Sequence, residues 1–224
     1  ITEKADFGVA FDGDFDRCFF FDHLGNFIPG EYVVCLLAEI FLNKEKGATI
    51  IHDPRVIWNT IDVVGKSGGK AVASKTGHAF VKAAMRKRDA IYGGEISAHH
   101  YFRDLAYCDS GIIPWLLVWE FLSKTSRSLS GLISEQKYRF PSSGELNFTV
   151  PNAVKCIERV QNHFVSKATS IDDLDGLSMS FDTWRFNLRK SNTEPLVRLN
   201  IETRGDYVLL KEKTNELKLL IEQS

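Results

Sequence analysis

Cysteine is scarce and unpatterned in this chain. Its four copies, Cys18, Cys35, Cys108 and Cys156, are scattered through 224 residues with no C-x-x-C spacing. That excludes a disulfide framework or a cysteine zinc site as the organising principle and suits a reducing cytoplasm. Long apolar runs are missing too, so no segment is expected to span a bilayer, and no signal peptide is legible. Neither sign of charge dominates: the net charge of −1 gives no support for nucleic acid or an anionic membrane as partner. There is also no initiating methionine, and the first residues read as the approach to a core strand, which leads us to expect a piece of a longer protein. What is present is ordinary for a soluble globular protein, with 44% apolar and 25% charged residues. The length allows one large domain or two modest ones.

The stretch around which the chain is organised is Phe11-Asp12-Gly13-Asp14-Phe15-Asp16-Arg17. It places three carboxylates at alternate positions directly after an apolar run, residues 7–11, that reads as a buried strand. Alternating carboxylates in a Gly-containing turn can converge on one hard cation, and Arg17 offers a fork suited to a phosphate sharing it. A merely solvated acidic turn competes with this reading. An EF-hand does not, since Arg17 stands where the loop needs glycine and His23 where it needs glutamate. A phosphatase with an aspartyl nucleophile at Asp12 stays open at this point.

Downstream, Gly30 opens a helix whose Val33, Val34, Leu36, Leu37, Ile40 and Phe41 imply deep burial. Three short apolar runs follow, residues 48–51, 71–73 and 90–92, alternating with helical stretches. That is the pattern of βαβ units around a largely parallel sheet. Each run is followed by polar groups: Asp53-Pro54-Arg55, then Lys75-Thr76-Gly77-His78, then Gly94-Glu95-Ile96-Ser97-Ala98-His99-His100. Ligands of open α/β sheets sit outside the carboxyl ends of strands, so the coincidence of three such loops points to a site. Phe80, Val81, Ala84 and Met85 form one apolar stripe of the intervening helix. Residues 112–122 are almost wholly apolar and read as core; residues 129–138 are a weaker helix. Phe140-Pro141-Ser142-Ser143-Gly144 reads as a linker.

The last part has another character. Residues 146–150 read as a strand, and Asn152 can cap a helix bearing Val154, Ile157, Val160 and Phe164. Residues 184–189 and 196–203 alternate strictly, which predicts an antiparallel sheet with one buried face. Asp206 opens a final helix with Leu210, Leu217, Leu220 and Ile221 facing inward. The loop between the two alternating strands, Lys190-Ser191-Asn192-Thr193-Glu194-Pro195, combines backbone amides, short polar side chains and Arg189 into a compact anion cradle. A plain polar hairpin turn is the alternative.

Four short signatures in this order, over nearly the whole chain, resemble the α-D-phosphohexomutases, and within them the mannose-specific branch that interconverts mannose 6-phosphate and mannose 1-phosphate. Ile96 in the Gly94–His100 loop is a mild departure from the methionine usual in that branch. The resemblance implies an α/β protein: a three-layer αβα domain with a mixed, largely parallel sheet, then a small α+β domain with an antiparallel sheet of the TATA-binding-protein-like kind. It implies residues 1–17 as the strand and metal loop of a truncated preceding domain, 18–138 as the sugar-binding domain and 139–224 as the phosphate-binding domain.

The resemblance also implies roles. Asp12, Asp14 and Asp16 would hold Mg²⁺. Arg17 would contact the phosphate in transit, and Arg55 and His78 would lie near the reacting oxygens, His78 as proton acceptor. Glu95, Ser97 and His99 would bind the sugar; Arg189, Ser191, Asn192, Thr193 and Arg198 would clamp the other phosphate. A hexose 1,6-bisphosphate would be activator and intermediate, on a pathway towards GDP-mannose. The family's phosphoserine loop is not found in these residues, so the chain is expected to need further N-terminal domains of the same polypeptide for turnover. A non-catalytic phosphosugar-binding module, and a mutase acting on glucose phosphates or on both sugars, are the alternatives.

Overall fold

A computed structural model describes residues 1–191 and 194–223. The chain divides into two compact units, one of residues 1–53 and 57–137, the other of residues 54–56 and 138–224. No helix among the described residues is long and apolar enough to cross a membrane.

The first unit opens with a three-stranded antiparallel sheet, β1 (Phe7–Phe11), β2 (Cys18–Asp22) and β3 (Phe27–Ile28). Phe11 pairs with Cys18, so the acidic heptad forms the hairpin loop between β1 and β2. Residues 1–17, expected as the tail of a preceding domain, thus share a sheet with residues 18–22, and their assignment to another domain is a proposal.

After α1 (Gly30–Lys44) come β4 (Thr49–His52), α2 (Trp58–Lys66), β5 (Lys70–Ala73), α3 (His78–Arg88), β6 (Tyr92–Gly94), β7 (His100–Phe102) and β8 (Cys108–Asp109). The sheet order is β5-β4-β6-β7-β8, parallel across β5-β4-β6 and antiparallel across β6-β7-β8. The sheet is therefore mixed. Period-two alternation sorts its two faces. Ile50 and Tyr92 pack in one core with α1 and α2, while Ile51 and Tyr101 pack in another with Val81 and Met85 of α3. Helices on both faces give the three layers. Two further helices, α4 (Ile112–Thr125) and α5 (Leu129–Arg139), close the unit.

Three expectations need correction here. The third strand is not 90–92 but runs through both glycines to Gly94. The reason is close packing on a central strand. A Cβ on Gly93 would lie 2.7 Å from Met85 Sδ of α3, and one on Gly94 would lie 2.8 Å from Val34 of α1. On α3, Val81 and Met85 are buried but Phe80 is exposed, with the Lys75 ammonium 5.2 Å above its ring. On α4, only Pro114 and Val118 are fully buried, and Ile112, Leu116 and Trp119 form an exposed stripe, so apolar content alone overstated its burial.

The second unit is β9 (Ser142–Thr149), α6 (Ala153–Phe164), β10 (Ser170–Asp172), β11 (Leu177–Ser180), β12 (Trp184–Lys190), β13 (Leu196–Thr203) and α7 (Tyr207–Glu222). Its sheet is antiparallel throughout, in the order β10-β11-β12-β13-β9. Phe186, Leu188, Leu199 and Ile201 bury one face against Val160 and Phe164 of α6 and Leu217 and Ile221 of α7. Both expected caps form: Asn152 accepts from Lys155 N at 3.0 Å and Asp206 from Leu209 N at 2.8 Å. Val154 is exposed on α6, and Cys156 takes the buried position instead. Residues 142–144, read as linker, belong to β9, where Ser142 pairs with Glu202 and Ser143 Oγ accepts from Ile201 N at 2.9 Å. The period-two signal fades at this strand start because Gly144, at φ 67°, interrupts the alternation.

Candidate functional site

The acidic loop of the first unit is built by its hairpin. Phe15 sits at φ 62°, a left-handed conformation rare for a bulky residue, and turns the chain so that Asp12, Asp14 and Asp16 converge. One carboxylate oxygen of each lies within 4.8 Å of the others. Arg17 fixes the loop: its Nε donates to Asp12 Oδ2 at 2.7 Å and its backbone N–H to Asp12 Oδ1 at 3.2 Å. Desolvation pushes the Asp12 carboxyl up, but hydrogen bonds from Arg17 and Asp14 outweigh it and bring it down to about 2. Burial holds Asp16 above the usual carboxylate range, and its Oδ1 is buried without a hydrogen-bond partner. Three convergent carboxylates, one short of a partner, fit a hard cation such as Mg²⁺. Asp16, His99 and Asp109 form a second such group.

His99 is placed by an isolated β-bridge to Arg17, which ties the acidic loop to the loop after β6. His99 Nδ1 lies 3.4 Å from Asp109 Oδ2 and 3.8 Å from Asp16 Oδ2. Lys82 pairs with Asp109 at 2.8 Å. The loop itself is rigidly built: Glu95 N donates to His99 O at 3.0 Å, Ala98 N to Glu95 O at 3.0 Å, and Ile96 N to Asp53 Oδ2 at 3.2 Å. Glu95 is buried, and both its oxygens are engaged within the unit. Oε1 accepts from Gly77 N and Oε2 from Tyr101 Oη, each at 2.6 Å. Burial, then the Glu95 charge, push the Tyr101 hydroxyl upward, so it remains a donor. Glu95 thereby fixes the Gly77 turn at the N-terminus of α3, where His78 stands exposed as the first helical residue. Each carboxylate oxygen keeps a further lone pair for a hydroxyl. Ser97 sits at the loop's turn, half-buried.

In the second unit, period-two geometry puts Arg185, Asn187 and Arg189 of β12 on the face opposite the core, beside Arg198, Asn200 and Glu202 of β13 and Glu145 and Asn147 of β9. Three guanidinium groups meet one carboxylate there. Glu145 accepts from Arg55 Nη1 at 3.1 Å, Arg189 Nη2 at 3.1 Å and Arg198 Nη1 at 2.9 Å. Burial pushes the Glu145 carboxyl up, but the charges of Arg55, Arg189 and Arg198 hold it below the usual range. Three cations against one anion leave the cluster positive. At the end of the same strands Ser191 N donates to Leu196 O at 2.9 Å, and Ser191 Oγ accepts from Glu194 N at 3.2 Å. Asn192 and Thr193 lie outside the described residues.

The structure therefore brings together Asp12, Asp14, Asp16, Arg17 and His99 in one group, links Glu95 to the turn bearing His78, and gathers Arg189, Arg198 and Arg55 in the other unit. Sequence reasoning missed Glu145, Asp109, Tyr101 and Arg185. Glu145 was legible, since it alternates with Asn147 against Leu146 and Phe148. Asp109 and Tyr101 carry no local signal, because their partners, Lys82 and His99 for the one and Glu95 for the other, meet them only once the sheet and α3 have packed.

A family model for the phosphoglucomutase/phosphomannomutase alpha/beta/alpha domain III matches residues 29–140, and one for the C-terminal domain matches residues 145–218. The chain is 58% identical over 223 residues to the phosphomannomutase of Escherichia coli strain K12, covering 100% of this chain and 49% of that protein. It is 60% identical over 221 residues to the phosphomannomutase of Vibrio cholerae serotype O1, covering 98% and 48%. A crystal structure of a phosphoglucomutase/phosphomannomutase family protein from Burkholderia thailandensis superimposes with a TM-score of 0.82 at 30% identity, covering 98% of this chain and 47% of that one. The chain spans about half the length of the curated relatives it matches. The fold and these matches agree: the chain belongs to the phosphoglucomutase/phosphomannomutase family and carries its alpha/beta/alpha domain III and its C-terminal domain.

Proposed function

We propose that this chain is the sugar- and phosphate-holding part of a phosphomannomutase, which interconverts mannose 6-phosphate and mannose 1-phosphate through a phosphoserine on another part of the polypeptide and a hexose 1,6-bisphosphate. The observation that carries this reading is the cluster of Arg55, Arg189 and Arg198, a net-positive group beside the Ser191 turn. Guanidinium forks suit phosphate oxygens by geometry and by permanent charge.

In this reading the arginine cluster and the Ser191 loop grip the phosphate that is not transferred, fixing the sugar's orientation. Ser97, and the lone pairs that Glu95 retains, take sugar hydroxyls, and the His99 ring contributes beside them. His78, exposed at the start of α3, accepts or returns the proton of the reacting hydroxyl. Arg17 stabilises negative charge on the phosphoryl group that moves. Asp12, Asp14 and Asp16 would hold Mg²⁺, which when bound supplies further charge stabilisation to that group. A soluble, cytoplasmic phosphosugar enzyme is the setting this chemistry suits.

The test is mannose 6-phosphate binding by titration calorimetry. Arg189→Ala should weaken it about tenfold or more, the usual consequence of removing a charge-assisted hydrogen bond to phosphate. Equal affinity in parent and variant would sink the reading. Glucose 6-phosphate in the same assay separates the mannose-specific reading from the dual-specificity one.

A further inference from the structure

Arg55, Arg189 and Arg198 reach one point from three directions, and their mutual repulsion has to be balanced. Arg189 and Arg198 are cross-strand partners, and like charges directly opposed destabilise a sheet pair. Arg55 arrives from a loop 90 residues away from Glu145 in sequence. That loop is held by Arg185, whose Nη1 donates to Arg55 O at 2.9 Å and whose Nη2 donates to Pro54 O at 3.1 Å. Arg185 is itself paired with Glu202 at 2.8 Å, both side chains being almost fully buried. Residues 54–56 accordingly cluster with the second unit although the chain on either side belongs to the first. Arg185 thus fixes the backbone of Arg55. Glu145 fixes its guanidinium.

We infer that Glu145 is a positioning residue of the phosphate clamp: its carboxylate sets Arg55, Arg189 and Arg198 in one arrangement, and the group stays net positive towards a phosphate monoester even with Glu194 3.5 Å from Arg198 Nη2. The inference rests on the phosphate-binding reading above and deepens it. Arg189 Nε and Arg198 Nε are both buried and without a hydrogen-bond partner, so donors of the cluster remain after Glu145 is satisfied. A carboxylate already in place means that the guanidinium rotamers are ordered before the ligand arrives. Preorganisation of this kind strengthens binding by lowering its ordering cost. The opposite role, an internal anion that merely competes with phosphate, makes the opposite prediction, which is what allows a decision.

Mannose 6-phosphate binding to the 224-residue chain is measured by titration calorimetry in the parent, Glu145→Gln, Glu145→Asp and Arg189→Ala, with thermal midpoints recorded alongside. Glu145→Gln raises the net positive charge by one, yet it should weaken binding by about tenfold through loss of preorganisation. Glu145→Asp keeps the charge but draws the carboxylate back by one methylene. It should bind between the parent and Glu145→Gln. It also serves alone if the glutamine variant does not fold, because a role in charge balance alone predicts parental affinity. Parental or tighter binding by Glu145→Gln, or parental binding by Glu145→Asp, overturns the inference while leaving the phosphate site intact, provided Arg189→Ala still loses affinity. A parent that does not bind overturns the site itself and this inference with it.

Discussion

At the scale of single residues, ordinary side chains acquire unusual properties from burial. His100 is the clearest case. It is fully buried, its Nδ1 lies 2.8 Å from Tyr92 Oη, and burial, with the neighbouring His99 second, lowers its pKa to about 3. The folded chain therefore keeps this ring neutral between pH 6.5 and 3, while the unfolded chain protonates it. Acid favours the state that binds more protons, here the unfolded chain, so His100 contributes nothing adverse above pH 6.5 and destabilises the fold progressively as pH falls below it. Between pH 7 and pH 5.5 the parent should lose about 1 kcal/mol through this group alone. His100→Asn, which keeps an acceptor for Tyr92, should be less stable at neutral pH but show a shallower acid slope. Urea midpoints at both pH values measure it; identical slopes would show that His100 is not the titrating group.

At the scale of elements, helices and strands position the loops through close approach. α1 begins at Gly30 because its backbone touches the loop after β6: a Cβ there would overlap the Ile96 carbonyl and lie 2.8 Å from the Ile96 carbonyl carbon. That loop is pinned by Asp53 and by its own backbone bonds, so it cannot retreat cheaply. Gly30→Ala should cost about 1–3 kcal/mol, as overpacking against fixed backbone does, and should weaken mannose 6-phosphate binding. Gly65 is the control. It lies within α2 with nothing near its hypothetical Cβ, so Gly65→Ala should be neutral or stabilise by up to about 1 kcal/mol. Thermal midpoints of the two variants against the parent give the comparison; equal midpoints would remove the steric argument.

At the scale of the whole molecule, the proposed function divides its groups between the two units. The first holds the convergent carboxylates, the Glu95 loop and the His78 helix start; the second holds the arginine cluster. If the phosphoryl-carrying serine of the proposed function stands elsewhere in the polypeptide, the 224-residue chain should bind phosphosugar without turning it over. The measurement is conversion of mannose 1-phosphate to mannose 6-phosphate with Mg²⁺ and glucose 1,6-bisphosphate present. Turnover by a folded, pure sample would show that another side chain carries the phosphoryl group, and Asp12 would be the first to substitute.

Much of this was written in local pattern. The alternation in 184–189 and 196–203 fixed both strands and the face each side chain takes, because a strand's period is a property of the backbone alone. The helix caps at Asn152 and Asp206 and the convergence of Asp12, Asp14 and Asp16 are short-range for the same reason: each is decided within a turn of chain. Pairings across sequence distance were not legible. Nothing near Arg55 announces that its guanidinium meets Glu145, or that Arg185 holds its carbonyl, and nothing near Glu95 announces Gly77 and Tyr101 as its partners. Those contacts come from strand register and from the route of the chain between sheets, which depend on how whole cores pack. The sequence by itself determined which chemistry the loops can offer; the tertiary structure decided which groups hold one another in place, because a salt bridge or buried hydrogen bond exists only once the packing has brought both partners out of water.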